Sequence, residues 1–356
     1  MKIAFLNMYN GLVDRGAETF VKEVAERLSK KHEVSVFQSG EALGSESFRV
    51  ERIPLEVDLS RTGRNILSYL FFDYANRKIF TFFLKAARQI IREKFDVVIP
   101  INGGFMPAIV RLATWLSGGK MVISGQAGMG WDERNNLWCF PDVFVALSSL
   151  AKAWAKRINP FVKVVRIPNG VDTTKFSPMG EKLKTSLKKP IVLCVGALTK
   201  AKRIDLTIKA VSLLERASLL VVGDGELRSE INSLGRRLLG SRFELIKLPH
   251  EEMPKAYRVA NVFTLASEPF HAFEIVLVEA MASGLSVVAN KDDIRREIVG
   301  RAGVLVDAAN IEAYAVAIEN ALRINWGKRP LRQANKFDWD KIAASYEKLF
   351  LKLCSR

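Results

Sequence analysis

The stretch SEPFHAFEIVLVEAMASG, residues 267 to 284, sets Glu279 between Val278 and Ala280 inside an apolar run that ends at Gly284. A carboxylate there can accept two hydrogen bonds from vicinal hydroxyls, as on a ribose. The plainer alternative is an exposed glutamate on an amphipathic helix. Phe273 and Glu274 lie near the start of that helix. The backbone N–H groups of Glu274, Ile275 and Val276 are the donors that, with the helix dipole, cradle a diphosphate. His271 is one of three histidines in the chain. It suits a sugar hydroxyl or a phosphate, and equally a structural hydrogen bond.

A second cluster follows Gly196 in GALTKAKRID, where Lys200, Lys202 and Arg203 crowd the end of a strand. Three cations beyond a strand's carboxyl end form an anion site, unless they are simply solvated lysines of a basic protein. In NMYNGLVDRGAETF, Gly16 marks the turn from strand to helix. It is neither a GxGxxG nor a Walker loop, so a phosphate contact and a plain βα turn read equally well. GDGE, residues 223 to 226, reads as a bare turn. In ISGQAGMGWDERNNLW, Gln126, Asp132 and Asn136 are candidates for acceptor or sugar contacts.

The elements that carry these residues repeat strand, Gly-containing turn and helix. KIAFLN, HEVSVF, FDVVIP, KMVISG, VFVALSS and KVVRIPNG form a first series of strands. A mixed Pro, Gly and Lys segment near residues 170 to 190 reads as a linker. IVLCVGAL, SLLVVGDG, FELIKLP, VFTLAS, SVVANK and GVLVD then restart the pattern. Alternating apolar strands and amphipathic helices predict two Rossmann-like α/β domains with doubly wound parallel sheets. Ligands of such sheets bind beyond the carboxyl ends of the strands.

The chain has 356 residues, a net charge of +16 and 49% hydrophobic residues, which argues against disorder and favours anionic partners. Its three cysteines, Cys139, Cys194 and Cys354, have no paired spacing. They suggest neither a disulfide framework nor a zinc site, and favour a reducing cytoplasm. No apolar run approaches the roughly 20 residues that span a bilayer, so any membrane contact is expected to be peripheral.

In this order the pieces resemble the family-4 retaining glycosyltransferases of the GT-B fold. The resemblance covers nearly the whole chain. It rests on the GAE of the first loop, IPNGVDTTKFSP, VGALTKAKRID, VVGDGE, VEAMASGLSVVA and the closing FDWDKIAASYEKL. It implies an acceptor domain over 1–172, a donor domain over 173–335 facing it across a cleft, and a helix over 336–356 that crosses back. It also implies transfer of a hexose from a UDP- or GDP-sugar, with retained configuration and no metal or other cofactor. Carried over, Glu279 binds ribose, Ile275 and Val276 offer N–H groups to phosphate, and Lys202 neutralises the leaving diphosphate. Lys200 and Arg203 assist, the Gly16 loop closes on the diphosphate, and Leu248 to His250 lie where the base rests.

Two positions depart from the family pattern. Its usual glutamate eight residues before the ribose glutamate is His271 here, and the arginine of its VGR pattern is Ala197. Glu274 is at the wrong spacing to replace the former, since on a helix it would point well away from Glu279. His32, the first-domain histidine, looks structural. DWD at residues 338 to 340 mimics a metal motif but falls at a helix start, where Asp338 is a plausible N-cap. A nucleotide-sugar epimerase or hydrolase, and a non-catalytic sugar-nucleotide or membrane-binding protein, stay open as alternatives. A dehydrogenase is disfavoured, because no strand is followed by a proper GxGxxG with its acidic partner.

Residues 61 to 94 interleave Leu70, Phe71, Phe72, Phe80, Phe82 and Phe83 with Arg61, Arg64, Arg77, Lys78, Lys85, Arg88 and Arg92. Such a region suits an anionic bilayer surface, and helices packed on the sheet are the alternative. No recognised nucleic-acid-binding fold accompanies it. A glycolipid or envelope-glycan acceptor, used at the inner face of the cytoplasmic membrane in polysaccharide assembly, follows from the lipid reading.

Overall fold

The computed structural model describes residues 1–13, 15–41, 47–58, 70–101, 103–269 and 273–355. The chain forms two compact units, one of Met1–Asn169 with Trp339–Arg356 and one of Gly170–Asp338. The sequence reading set the joints at 172 and 335.

The first unit runs β1 (Lys2–Leu6), α1 (Gly16–Leu28), β2 (Glu33–Gln38), β3 (Arg49–Arg52), α2 (Tyr74–Glu93) and β4 (Val97–Pro100). It continues with α3 (Pro107–Ser117), β5 (Lys120–Ser124), α4 (Trp131–Trp138), β6 (Val143–Ala146), α5 (Ser149–Ile158) and β7 (Val164–Arg166). Among the described residues its strands lie in the order β3-β2-β1-β4-β5-β6-β7, and each registered pair is parallel. The central strands are buried on both faces, as their continuous apolar sequences require.

The second unit holds β8 (Ile191–Val195), α6 (Ile204–Ser212), β9 (Ser218–Val222), α7 (Arg228–Leu239), β10 (Phe243–Ile246) and α8 (Met253–Val259). After these come β11 (Val262–Leu265), α9 (Ile275–Ala282), β12 (Ser286–Asn290), α10 (Asp293–Val299), β13 (Gly303–Val306), α11 (Ile311–Arg323) and α12 (Arg329–Ala334). The strand order is β10-β9-β8-β11-β12-β13, again parallel throughout. The order reverses direction between β8 and β11. The loops that follow these two strands therefore flank a topological switch point, where a doubly wound sheet opens a crevice.

The last helix, α13 (Trp339–Cys354), belongs to the first unit. Trp339, Ile342, Tyr346, Leu349 and Phe350 recur at helical spacing and join the core formed by β1 and α1. The Phe20 ring lies 6.3 Å from that of Trp339 and 5.4 Å from that of Tyr346. Outside this core, Arg27 donates to Asp340 at 2.6 Å, and the His32 ring sits 3.2 Å from the Glu347 carboxylate. His32 is thus a packing residue of α13. Asp338 immediately precedes the helix, and its carboxylate accepts the Thr173 hydroxyl.

The Tyr346 hydroxyl meets Ser124 Oγ at 2.9 Å in the buried interior. Tyr346→Phe should cost about 1 kcal/mol, the net worth of one hydrogen bond. Tyr346→Ala should cost about 3–5 kcal/mol through the cavity it leaves. Urea unfolding of both variants separates these values; equal losses would show that the hydroxyl, not the ring, holds α13.

Candidate functional site

Two buried carboxylates organise the carboxyl edge of the second sheet. Glu279, the fifth residue of α9, is buried, which removes the exposed-glutamate reading. Its Oε2 accepts from the Tyr257 hydroxyl at 2.7 Å, and His250 Nε2 lies 3.3 Å from Oε1. On its other side, His250 Nδ1 is 3.2 Å from Lys175 Nζ. An ammonium has donors only, so Nδ1 must accept, Nε2 carries the proton, and His250 donates to Glu279. Burial first, and the neighbouring Glu279 charge second, hold the Tyr257 phenol well above its ordinary range. Tyr257 is thereby a neutral donor. Each Glu279 oxygen takes one donor and keeps a lone pair in a fixed direction, the arrangement a vicinal diol needs.

The local sequence explains how Lys175 arrives there. Asp172 Oδ1 accepts from the backbone N–H groups of Thr174 and Lys175, closing a turn within IPNGVDTTKFSP. Arg258, beside Tyr257 on α8, then donates to the carbonyls of Lys175 and Ser177. The Phe176 ring packs 5.7 Å from both His250 and Tyr257.

Glu274 is the second carboxylate. It precedes α9 at the N-cap, and Lys202 Nζ reaches both its oxygens, at 2.9 and 2.8 Å. Ser267 Oγ donates to Oε1 at 2.8 Å and Arg295 Nη2 at 3.2 Å. Arg295 is fully buried and also donates to Asp292 at 2.7 Å. Two cations and two anions thus close a compensated network, the condition under which buried charge is tolerated. The helical angle that sets Glu274 apart from Glu279 assumes that both lie on the helix. Glu274 lies outside the helix, so its side chain is free to turn toward Lys202.

The remaining expected residues divide. Arg203 is a clamp: in a left-handed conformation, it donates to the carbonyls of Ala266 and Ser267 at 2.7 and 3.1 Å. Glu268 N–H answers to Ala201 O at 2.8 Å, so the loops after β8 and β11 are laced together. Gly196 N–H is held by Val222 O. A Cβ on Gly223 would meet Gly196 O at 2.0 Å, which makes the GDGE turn a packing requirement. The Phe273 ring is buried against Phe337. Ile275 and Val276 open α9, Leu248 is half-buried after β10, and Lys200 is exposed. Gly16 opens α1 in the first unit. His271 lies outside the described residues.

In the first unit, Gln126 and Asn169 exchange amide hydrogen bonds at 2.8 and 3.1 Å, and Gln126 also donates to Ser124. Asn136 is buried and donates to Glu133 at 2.8 Å. Both therefore hold structure, although Gln126, like Asp132, is only half-buried. Sequence reasoning missed Glu133, whose Oε1 accepts Ala127 N–H at 2.9 Å, and an aromatic cluster beside it. Phe71 stacks on Trp131 at 12° and meets Phe105 edge-on. Gly104 permits this, because a Cβ there would meet the Phe71 ring at 2.5 Å.

Comparison with known proteins bears on both units. The family described as Glycosyltransferase Family 4 matches residues 15–175, and that described as Glycosyl transferases group 1 matches residues 189–323. The phosphatidyl-myo-inositol mannosyltransferase of Mycobacterium tuberculosis is 28% identical over 222 residues, 58% of this chain and 58% of its own. A GDP-mannose-dependent phosphatidylinositol monomannoside mannosyltransferase of Mycolicibacterium smegmatis is 27% identical over 203 residues, 51% of this chain and 53% of its own. The chain thus spans little more than half the length of these curated relatives. Anabaena HepE, solved with UDP and glucose, superposes with a TM-score of 0.77 at 17% identity, covering 99% of this chain and 100% of that one. The catalytic domain of starch synthase IV from Arabidopsis thaliana, bound to ADP and acarbose, gives 0.78 at 14% identity, covering 100% and 99%.

Burial pushes the Glu133 carboxyl up to about 7 from an ordinary 4.5. Between these values the folded chain keeps a proton that the unfolded chain releases, so stability falls as pH rises through the window and levels off above it. The loss is on the order of 3 kcal/mol. Glu133→Gln should remove that slope, so that the variant gains on the parent protein from pH 4.5 to 7. Melting temperatures across this range check it; parallel curves would mean that Glu133 ionises freely.

Proposed function

Because the chain belongs to the family-4 glycosyltransferases of the GT-B fold, we propose that it moves a sugar from a nucleoside-diphosphate sugar to a hydroxyl of a lipid-linked or envelope glycan, with retention and without a metal ion. The observation that carries the donor half is the Glu279 carboxylate, buried, held by Tyr257 and His250, with a lone pair left on each oxygen. In this reading it takes the two ribose hydroxyls. The N–H groups of Ile275 and Val276 take phosphate at the head of α9. Lys202 stands beside the switch point and stabilises the charge that collects on the diphosphate as its bond to the anomeric carbon breaks. Glu274 holds the Lys202 ammonium in place until that charge develops.

The acceptor falls to the first unit, near Asp132 and the Phe71, Phe105 and Trp131 rings. Two observations favour a lipid-linked acceptor: the relatives act on phosphatidylinositol substrates by name, and α2 exposes Arg77, Lys85, Arg88, Arg92 and Phe80, whereas Phe82 and Phe83 are buried in the core. No described helix is long and apolar enough to cross a membrane. Contact with an anionic membrane surface is accordingly peripheral in this reading, at the inner face.

The test is thermal stability of the purified chain with UDP-, GDP- and ADP-sugars, with and without Mg²⁺. A ligand that binds only the folded state at a hundred times its Kd adds about 2.7 kcal/mol. One base should raise the melting temperature selectively and independently of the metal, and Glu279→Ala should abolish the rise. An undiminished rise in that variant would overturn the ribose role. Lys202→Ala should keep the rise and lower turnover by about a hundredfold or more. An unchanged rate would remove Lys202 from the reaction, and donor consumption that ignores acceptor would favour a hydrolase.

A further inference from the structure

Four charged side chains behind the crevice of the second unit are ranked by depth. Arg295 on α10 and Asp292 at its N-cap have side chains 1 and 2% exposed. The Glu274 side chain is 6% exposed and that of Lys202 16%. The network thus runs outward from Asp292 through Arg295 and Glu274, and Lys202 is the member a ligand meets first. The backbone of Lys202 is fixed. Its N–H donates to Thr199 O at 3.1 Å, and the next residue, Arg203, is clamped on Ala266 and Ser267. Its ammonium ends a flexible four-carbon stem and can move alone. Without Lys202, Glu274 would still accept from Ser267 at 2.8 Å and from Arg295 at 3.2 Å. Lys202 is therefore a partner that can leave without stranding a buried charge.

Two cations and two anions make this network neutral. An intact sugar diphosphate is a dianion. The diphosphate set free from it is more negative, since its terminal phosphate has a further proton to lose at a pKa of about 6. To draw Lys202, either must outcompete a carboxylate that holds the ammonium through two short hydrogen bonds, largely out of water. The intact donor, as the weaker anion, is the less able to do so. An ammonium given equally to donor and transition state would lower KM without speeding the chemical step.

We propose that Glu274 is an internal counter-anion that withholds Lys202 from the intact donor and yields it to the departing nucleoside diphosphate. This role rests on the donor reading above and makes Glu274 a competitor of the substrate, beyond orienting the ammonium. As the bond between the anomeric carbon and the diphosphate oxygen breaks, its electron pair stays on that oxygen. The acceptor hydroxyl oxygen forms the new bond to the anomeric carbon, and its proton passes to solvent. Lys202 Nζ then crosses from Glu274 to the new charge, while Ser267 and Arg295 keep Glu274 in place. The Glu274 side chain contacts neither substrate and is a positioning residue. Release of the diphosphate returns the ammonium to it.

The test is calorimetric titration of the full chain with three pairs: UDP and UDP-glucose, GDP and GDP-mannose, ADP and ADP-glucose. In the pair that binds, the free diphosphate should bind the parent chain about tenfold or more tightly than the sugar ester. Glu274→Gln, close in shape and uncharged, should tighten the ester about tenfold or more, the worth of one charge-assisted hydrogen bond. Adding Lys202→Met should remove that gain. Glu274→Asp keeps a charge beside Arg295 and shortens the reach to Lys202, so it should tighten the ester in the same direction and serves if the Gln variant does not fold. A purely structural Glu274 predicts the opposite sign, because loosening the loops costs affinity. Ester binding that weakens or stays level in these variants would overturn the role, and so would a gain that survives Lys202→Met. A parent chain that binds none of the three pairs would overturn the donor reading and this role with it. Parent binding without a gain in the variants overturns this role alone.

Discussion

The Glu274 carboxylate is the joint on which the second unit's crevice depends. Parallel strands β8 and β11 diverge there, and their loops have no ladder to hold them together. Glu274 accepts from Lys202 on one loop, from Ser267 on the other and from Arg295 on α10. Arg203 adds two bonds to carbonyls across the same gap. Positive charge is thereby kept in a place where it would otherwise repel itself or be lost to solvent. A carboxylate that is nearly sealed from water holds its partners more firmly than a surface pair would, because little solvent competes for them.

Glu279 shows a different use of burial. Its partners are the Tyr257 phenol and the His250 imidazole, one on each oxygen, so its orientation is set from both sides. The orientation is inherited in steps. Asp172 forms a turn, the turn sets Lys175, Lys175 fixes the His250 tautomer, and His250 donates to Glu279. A motif that reads as a linker in the sequence is therefore a support for the carboxylate on α9. Lys175 and Glu279 lie far apart in the chain, and only the folding of the second unit joins them.

The first unit divides its polar groups differently. Gln126, Asn136 and Glu133 are consumed in holding the segment that leads from β5 into α4. At the head of α4, Trp131 is exposed and stacks on Phe71, and Asp132 is half-buried. Shape and apolar surface dominate here, whereas charge dominates the second unit.

The architecture was legible in the sequence because hydrophobic period is a local property. Continuous apolar runs such as IVLCV and VFTL predict strands buried on both faces, and the 3.6-residue recurrence in IEAYAVAIENALR predicts α11 over the range it occupies. Lys202, Glu279 and the residues around α9 were singled out on a different ground, the resemblance of their types and order to one family. What the sequence could not determine is which side chains spend their polar groups on each other. Gln126 and Asn136 looked available, but Gln126 is paired with Asn169 and the Asn136 amide N–H is given to Glu133. Glu274 looked misaligned and is the partner of Lys202. Tyr257, Arg295 and Lys175 carry no local signal of function. Hydrogen bonds form between atoms brought within about 3 Å, and that proximity belongs to tertiary structure, not to spacing along the chain.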